Sequence, residues 1–199
     1  MKVIILGGFL GSGKTTVILQ LAKYLVERSE QANRVVILEN EIGAVGVDDM
    51  LLRGSGYKVS ELFSGCACCS MAGELRGNVR LLKKEMDPEW LLLEATGLAY
   101  PGRIKETLDP ILEQPAHILT VVDAQRLRRI LMPAADLVDG QLECADHVLI
   151  NKIDLVDESD LPELDAIVRE RCPGGTIDHV NGLLPIEERI WQAVEADFS

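Results

Sequence analysis

The sequence predicts an α/β fold built on a doubly wound, mostly parallel sheet. Short apolar runs of strand length alternate along the chain with segments whose apolar residues recur at helical spacing. The runs are continuously apolar, as expected for parallel strands covered on both faces. A chain of 199 residues suits one sizeable core and is short for two, so we expect residues 1–199 to form a single domain.

The predicted elements follow one another in a regular order. Strands are predicted from apolar runs at residues 3–6, 34–38, 90–93, 118–122, 147–150 and 176–180, with a short ambiguous run at 59–63. Helices are predicted from spaced apolar residues at 17–25, 75–86, 127–131, 137–144, 161–168 and 186–194, and residues 101–113 fit a helix or a turn. Because right-handed crossovers keep the strands parallel, the loops after the strands are expected to meet at one edge of the sheet, where ligands bind in such folds.

The loop after the first predicted strand fits the pattern G-x-x-x-x-G-K-[ST] and leads into a helix. Its glycines let successive N–H groups face an anion, and the helix adds the positive end of its dipole. Lys14 is expected on the β- and γ-phosphates, and the Thr15 hydroxyl on Mg²⁺. The predicted nucleotide-contacting residues here are Gly8, Gly11, Ser12, Gly13, Lys14, Thr15 and Thr16. The pattern and its context together predict a P-loop NTPase rather than a glycine-rich turn without a ligand.

A second motif, Asn151-Lys152-x-Asp154, follows the predicted strand at 147–150. The Asp154 carboxylate can accept from both N1–H and the exocyclic amine of guanine, while Lys152 lies along the base and Asn151 braces the loop. The alternative is an ordinary strand-ending turn with a side-chain cap. Asn181, after the last predicted strand, stands where GTPases bring a backbone N–H to the guanine oxygen. These residues predict GTP and GDP as the nucleotides.

Acidic residues end two of the predicted strands near the P-loop. Glu94 has the position of the Walker-B acid that holds Mg²⁺ through water, with an exposed strand-end glutamate as the alternative. Thr96 and Gly97 would let the backbone approach the γ-phosphate. Lys14 and Glu94 are therefore predicted catalytic residues, together with Glu39, a loop acid that would help to position water or metal. Asp123 is interpreted as structural.

Cys66, Cys68 and Cys69 form the least ordinary feature of the sequence. As thiolates they suit Zn²⁺ and other soft or borderline ions, and three of them leave one coordination position open. Glu39 or Glu41 could supply a further ligand, as could water or a partner. A redox-sensing pair and buried packing cysteines are the alternatives.

The composition limits the partners and the compartment. A formal net charge of −12 argues against nucleic acid and against an anionic membrane. The first strand begins almost at once, so no leader peptide is expected, and no apolar stretch is long enough to span a membrane. Clustered thiols without a disulfide pattern suggest the cytoplasm. The isolated Cys144 and Cys172 are expected in the core or on the surface, not as ligands.

Taken together, the motifs resemble those of the CobW-type metallochaperone GTPases, relatives of the hydrogenase and urease nickel-insertion GTPases. The motifs are G-G-F-L-G-S-G-K-T-T, E-N-E-I-G, G-C-A-C-C, E-A-T-G-L-A, V-V-D-A and N-K-I-D, and they extend through nearly the whole chain. The resemblance implies a SIMIBI-type GTPase that uses GTP and Mg²⁺ and loads Zn²⁺, Co²⁺ or Ni²⁺ through the C-x-C-C motif. It implies a client metalloenzyme or corrinoid protein as partner, and delivery of the metal to a metalloenzyme or a cobalamin-related centre. By analogy, it also implies a homodimer that forms across the nucleotide face.

The chain also departs from the family pattern. Relatives usually have a second, C-terminal domain, often rich in histidine, whereas this sequence has three histidines and is expected to contain the GTPase domain alone. Ala44 stands where a third acid is common, and Tyr100 where an aspartate usually precedes the proline. We found no arginine obviously placed to act in cis on the phosphates, so slow intrinsic hydrolysis is expected.

Two other functions remain open from the sequence. The first is a GTP-gated activator or adaptor for a corrinoid or other metalloenzyme that carries no metal itself. The second is a small-molecule kinase, which the guanine-type motif and the lack of an evident acceptor site disfavour.

Overall fold

The computed structural model describes residues 1–28, 35–39, 58–61 and 71–198. In these residues seven strands form one sheet in the order β3-β2-β4-β1-β5-β6-β7, and every pair is parallel. The strands are β1 (Lys2–Gly7), β2 (Val35–Glu39), β3 (Lys58–Glu61), β4 (Trp90–Glu94), β5 (His117–Asp123), β6 (His147–Asn151) and β7 (Thr176–Val180). The predicted parallel α/β sheet is confirmed.

Helices cover both faces of the sheet. They are α1 (Lys14–Glu27), α2 (Met71–Met86), α3 (Pro101–Leu108), α4 (Leu127–Leu131), α5 (Ala135–Leu142), α6 (Leu161–Arg171) and α7 (Glu188–Ala196). Short 3₁₀ turns lie at Asp109–Ile111, Ile153–Leu155 and Glu158–Asp160. None of the helices in the described ranges is long and apolar enough to cross a membrane.

The apolar runs form strands because both of their faces are buried. Alternate residues of β1 enter two separate cores: Val3 and Ile5 pack on one face of the sheet, and Ile4 and Leu6 on the other. Helices α1 and α7 cover the second face, whereas α2, α3, α5 and α6 cover the first. Successive side chains of a strand point to opposite faces of the sheet. A strand between two apolar layers is therefore apolar at every position, which is the pattern that the sequence displays.

The strand order places one site at the carboxyl edge of the sheet. From β1 the chain crosses to β2 and β3, returns to β4, and then passes over β1 to β5. The loops that follow β1 and its two neighbours, β4 and β5, therefore meet at the topological switch point, and the loop after β6 lies beside them.

Several helix boundaries differ from the predicted ones, and two of these differences have an identifiable reason. The segment at 101–113 is an α-helix only to Leu108 and continues as a 3₁₀ turn, because Pro110 has no N–H to donate to the carbonyl oxygen of Glu106. The closing helix begins at Glu188 rather than at 186, after Pro185. The ambiguous run at 59–63 contains a strand, β3, that extends to Glu61.

Candidate functional site

The loop at residues 8–13 joins β1 to α1 and depends on glycine. Gly8, Gly11 and Gly13 have φ values of 130°, 76° and 102°. Other residues rarely adopt this left-handed region, so the sequence folds here because glycines stand at these positions. The Ser12 N–H donates to the Phe9 carbonyl oxygen at 3.1 Å, which closes the turn. The result is a tight, concave loop of backbone that ends at the start of a helix.

Gly13 precedes α1, and no side chain of the described residues caps this helix. The first N–H groups of an α-helix have no acceptor within the helix. They and the helix dipole therefore favour an anion at this end. The Ser12 hydroxyl is completely buried in the same loop and makes no hydrogen bond within the described part of the chain.

Lys14 lies folded over the loop. Its side chain is buried, and its Nζ donates to the carbonyl oxygens of Gly8 at 3.0 Å and Phe9 at 3.2 Å. Backbone carbonyls solvate the ammonium group in this position. A phosphate oxygen, which carries a full charge, would be a stronger acceptor than either carbonyl.

Thr15 and Glu94 come from adjacent elements and are in contact. The Thr15 hydroxyl donates to Glu94 Oε1 at 3.1 Å, and Glu94 is buried at the end of β4. The backbone register pairs Glu39 of β2 with Glu94, and Glu61 of β3 with Glu39. Three acidic residues therefore end three neighbouring strands, although the structure does not describe the side chains of Glu39 and Glu61. Thr16 is exposed beside Thr15.

Asn151 ties three loops together. It is buried at the end of β6, where its Nδ2 donates to the Ser12 carbonyl oxygen at 2.8 Å. Its Oδ1 accepts from the N–H groups of Lys152 and Gly182, both at 2.8 Å. The P-loop, the Asn151-Lys152-x-Asp154 motif and the loop after β7 are therefore held in one arrangement by a single carboxamide.

Lys152 extends across the P-loop from the other side. Its backbone is left-handed, with φ 64°, and its Nζ donates to the Gly11 carbonyl oxygen at 2.5 Å and to Asp123 Oδ2 at 2.7 Å. Asp123 also accepts from the N–H groups of Gln125 and Arg126 through its Oδ1. The sequence interpretation of Asp123 as structural missed its contact with Lys152.

Asp154 and Asn181 have different surroundings. Asp154 is exposed and lines an open surface groove that also includes Gln125 and Arg129. Asn181 Oδ1 accepts from the Leu183 N–H at 3.0 Å within its own turn. The neighbouring Gly182 N–H donates to Asn151, as described above.

Two residues near the loop were missed by sequence reasoning. Arg126 Nη1 lies 3.4 Å from the Leu10 carbonyl oxygen of the P-loop, so an arginine does stand beside the phosphate loop in cis. Gln141 of α5 is buried and donates to the carbonyl oxygens of Gly97 and Ala99. A polar residue on the apolar side of a short helix is the one sequence signal that could have indicated Gln141.

The cluster of thiols predicted to bind metal lies outside the described residues. Cys66, Cys68, Cys69 and Glu41 all fall there. Across ranges 1–28, 35–39, 58–61 and 71–198, no group of three His, Cys, Asp or Glu side chains is arranged to hold a metal ion.

The two isolated cysteines lie in the described part of the chain and are both free thiols. Cys172 is buried, whereas Cys144 is exposed. Burial raises the pKa of Cys172, and partial desolvation together with the nearby Glu143 raises the pKa of Cys144. A raised pKa lowers the fraction of thiolate, the form that binds metals.

Comparison with known proteins places this arrangement in context. Residues 2–177 match the family model described as CobW/HypB/UreG, nucleotide-binding domain. The zinc chaperone YjiA of Escherichia coli K12 is 31% identical over 190 residues, which are 90% of this chain and 58% of that protein. The zinc chaperone CobW of a Sinorhizobium species is 30% identical over 189 residues, which are 79% of this chain and 52% of that protein. The chain thus spans little more than half the length of these relatives.

The crystal structure of the hydrogenase maturation factor HypB from Archaeoglobus fulgidus has the same fold. It superposes with a TM-score of 0.68 at 18% identity and covers 100% of this chain and 91% of its own.

Proposed function

Because this chain belongs to the CobW/HypB/UreG family of nucleotide-binding domains, we propose that it is a GTP-hydrolysing metallochaperone whose cargo is a transition metal, with zinc as the first candidate. The observation that carries the nucleotide part is the Asn151 carboxamide, which joins the P-loop to the guanine-type motif. One residue thereby fixes the distance between a phosphate cradle and a base pocket. A glycine-rich turn without a ligand needs no such link.

The phosphates of GTP or GDP would occupy the loop at residues 8–15. The left-handed glycines and the uncapped start of α1 support this, since such glycines are typical of anion-binding loops and the first N–H groups of a helix have no acceptor within it. Lys14 would exchange the carbonyl oxygens of Gly8 and Phe9 for phosphate oxygens. In that exchange, charged phosphate oxygens replace two neutral carbonyl acceptors of the ammonium group.

Thr15 and Glu94 would hold Mg²⁺, the first directly and the second through water. A hydroxyl and a carboxylate within hydrogen-bond distance provide the hard oxygen donors that this ion prefers. When bound, Mg²⁺ supplies neutralisation of negative charge on the β- and γ-phosphates.

Guanine would be read by the motif at residues 151–154. The Asp154 carboxylate is exposed and so accessible to N1–H and the exocyclic amine. Lys152 would lie along the base, and its contacts with Gly11 and Asp123 support an extended side chain over the P-loop. Asn181 would contribute to guanine binding through the backbone of its turn, because its side-chain oxygen already accepts a hydrogen bond from Leu183 N–H.

Hydrolysis would depend on charge stabilisation and on the placing of water. Lys14 would stabilise charge that develops on the γ-phosphate, and Arg126 beside Leu10 is a second cation within reach of the loop. Glu39 would help to place the attacking water, an assignment supported by its register opposite Glu94. The expected products are GDP and phosphate.

Cys66, Cys68 and Cys69 would carry the metal as thiolates, with Glu39 or Glu41 as further donors. The connection that carries the cysteines leaves β3 at Glu61, two strands from Glu94 in the sheet order. Nucleotide state could therefore alter the metal site through the same edge of the sheet. Relatives named zinc chaperones favour Zn²⁺, with Co²⁺ and Ni²⁺ as other candidates.

The proposed partners are a client metalloenzyme or corrinoid protein and a second copy of the chain. Leu10 and Leu98 flank the nucleotide face with 80% and 76% of their surface exposed, which supports an apolar contact there. Thiolate ligands require a reducing compartment, so the cytoplasm is the proposed location. The second candidate function, a GTP-gated adaptor without a metal of its own, is favoured by the same exposed leucines.

Metal affinity measured by competition with a chromophoric chelator, under reducing conditions, separates these two functions. The titration is run with GDP and with a slowly hydrolysed GTP analogue. The variants are C66S/C68S/C69S and, as a matched control, Cys144→Ser, which removes an exposed thiol outside the cluster. Tight binding that changes with nucleotide and is lost only in the triple variant supports the metallochaperone. Binding that is weak or indifferent to both changes overturns it in favour of the adaptor.

A further inference from the structure

The side chain of Gln141 is a buried bridge between two loops of the nucleotide site. Only 1% of the residue is exposed. Its Oε1 accepts from the Gly8 N–H, the first amide of the P-loop. Its Nε2 donates to the Ala99 carbonyl oxygen at 2.7 Å and lies 3.4 Å from the Gly97 carbonyl oxygen. One carboxamide therefore uses its acceptor and its donors on backbone groups of two separate loops.

The second of these loops directly follows Glu94. Residues 96–99 form a turn in which the Ala99 N–H donates to the Thr96 carbonyl oxygen at 3.0 Å. Gly97 lies so close to the P-loop that a Cβ added to it would stand 2.5 Å from the Leu10 backbone nitrogen. The 96–99 turn and the P-loop are thus in contact on one side and linked through Gln141 on the other.

The helix that carries Gln141 is itself held against these loops. Thr120 of β5 donates from Oγ1 to the Gln141 carbonyl oxygen at 2.9 Å. The ring of Tyr100, the residue after the turn, packs so closely on Gly140 that a side chain at position 140 would overlap it. Gln141 is consequently fixed at its backbone as well as at its carboxamide.

We propose that Gln141 is a positioning residue that couples the 96–99 turn to the P-loop and so lets the protein distinguish GTP from GDP. This inference rests on the proposed nucleotide site. The γ-phosphate is the only part of GTP that GDP lacks, and the 96–99 turn is the segment expected to meet it. A turn held at a fixed distance from Gly8 is pre-organised for that phosphate, and a loosened turn loses contacts only in the triphosphate complex.

A purely structural role for Gln141 makes a different prediction. A buried carboxamide that only satisfies backbone groups would lower the free energy of unfolding when it is replaced, and would weaken GDP and GTP to the same extent. The ratio of the two affinities therefore separates the roles, whereas stability alone does not.

The test compares Gln141→Met with Gln141→Glu. Methionine keeps the length of the side chain and removes every hydrogen bond. Glutamate keeps an acceptor for Gly8 N–H and sets a second oxygen against the Ala99 carbonyl. Gln20→Met is the matched control, because Gln20 also joins separate backbone segments, donating to the Gly182 and Leu184 carbonyls and accepting from Ile186 N–H. Its contacts lie on the base side, which GDP and GTP share.

Dissociation constants are measured for GDP and for a slowly hydrolysed GTP analogue, with urea unfolding of each variant. Both Gln141 variants are expected to reduce the preference for the triphosphate over GDP by about tenfold, which is the effect expected from the loss of one or two neutral hydrogen bonds. Gln20→Met is expected to leave the ratio of the two dissociation constants unchanged. An unchanged ratio in whichever Gln141 variant folds overturns the inference, as does an equal change in Gln20→Met. Wild-type protein that binds neither nucleotide would instead overturn the proposed function itself.

Discussion

Replacing Asn151 by alanine should destabilise the protein far more than a single polar side chain usually does. The substitution removes three hydrogen bonds, to Ser12 O, Lys152 N and Gly182 N, each 2.8 Å long. At about 1 kcal/mol net for each bond, the expected loss is about 3 kcal/mol. That is a large fraction of the total stability of a typical domain, which is about 5–15 kcal/mol.

Urea unfolding measures this loss, with Asn181→Ala as the matched control. Asn181 makes one side-chain hydrogen bond, to Leu183 N–H in an exposed turn, so its removal should cost no more than about 1 kcal/mol. GDP and GTP affinities should both fall in Asn151→Ala by a similar factor, since the residue holds the base side and the P-loop together. Equal losses of stability in the two alanine variants would refute the assignment of Asn151 as the link between the loops.

Four further outcomes are expected. Thr15→Val removes the hydroxyl 3.1 Å from Glu94 Oε1, so the difference in nucleotide affinity between Mg²⁺ and EDTA should become smaller; an undiminished difference contradicts the assignment of Thr15 to Mg²⁺. Asp154→Asn exchanges an acceptor for a donor and should weaken GDP by at least about 100-fold while strengthening xanthosine diphosphate, as followed by competition binding. Arg126→Ala should lower the single-turnover hydrolysis rate by about tenfold or more with GDP affinity nearly unchanged, and an unaltered rate removes the residue from catalysis. Burial and the hydrogen bond to Glu195 raise the pKa of Tyr24 from 10.0 to about 12. The contribution of the neutral phenol to the free energy of unfolding is therefore complete below pH 10 and is lost as the pH rises toward 12. Tyr24→Phe should therefore show a shallower fall in unfolding free energy across that interval.

Much of the geometry of the candidate nucleotide site follows from local signals in the sequence. The spacing from Gly8 to Thr15 specifies a left-handed, amide-rich loop, and the apolar run before it specifies a buried strand. The same holds for Asn151 to Asp154 after β6. In each case the residues that define the chemistry are neighbours in the chain, so the sequence pattern is enough to predict the local backbone geometry.

The metal site remains a prediction from the sequence. Cys66, Cys68 and Cys69 are close in the chain, and their thiol chemistry indicates a soft or borderline ion. Their assignment is tested by metal competition with the triple serine variant, since they lie outside the described residues.

The sequence by itself determined the alternation of strands and helices, the P-loop and the guanine-type motif, since periodicity and short motifs are properties of adjacent residues. Only the tertiary structure decided which distant groups support them. Gln141 meets Gly8 across 133 positions, and Asn151 meets Ser12 across 139. Arg126 reaches Leu10 across 116. These contacts depend on the strand order, which sets β4 and β5 on either side of β1. A single buried side chain has no periodic signal, so its partners become known only when the sheet has brought the loops to one edge.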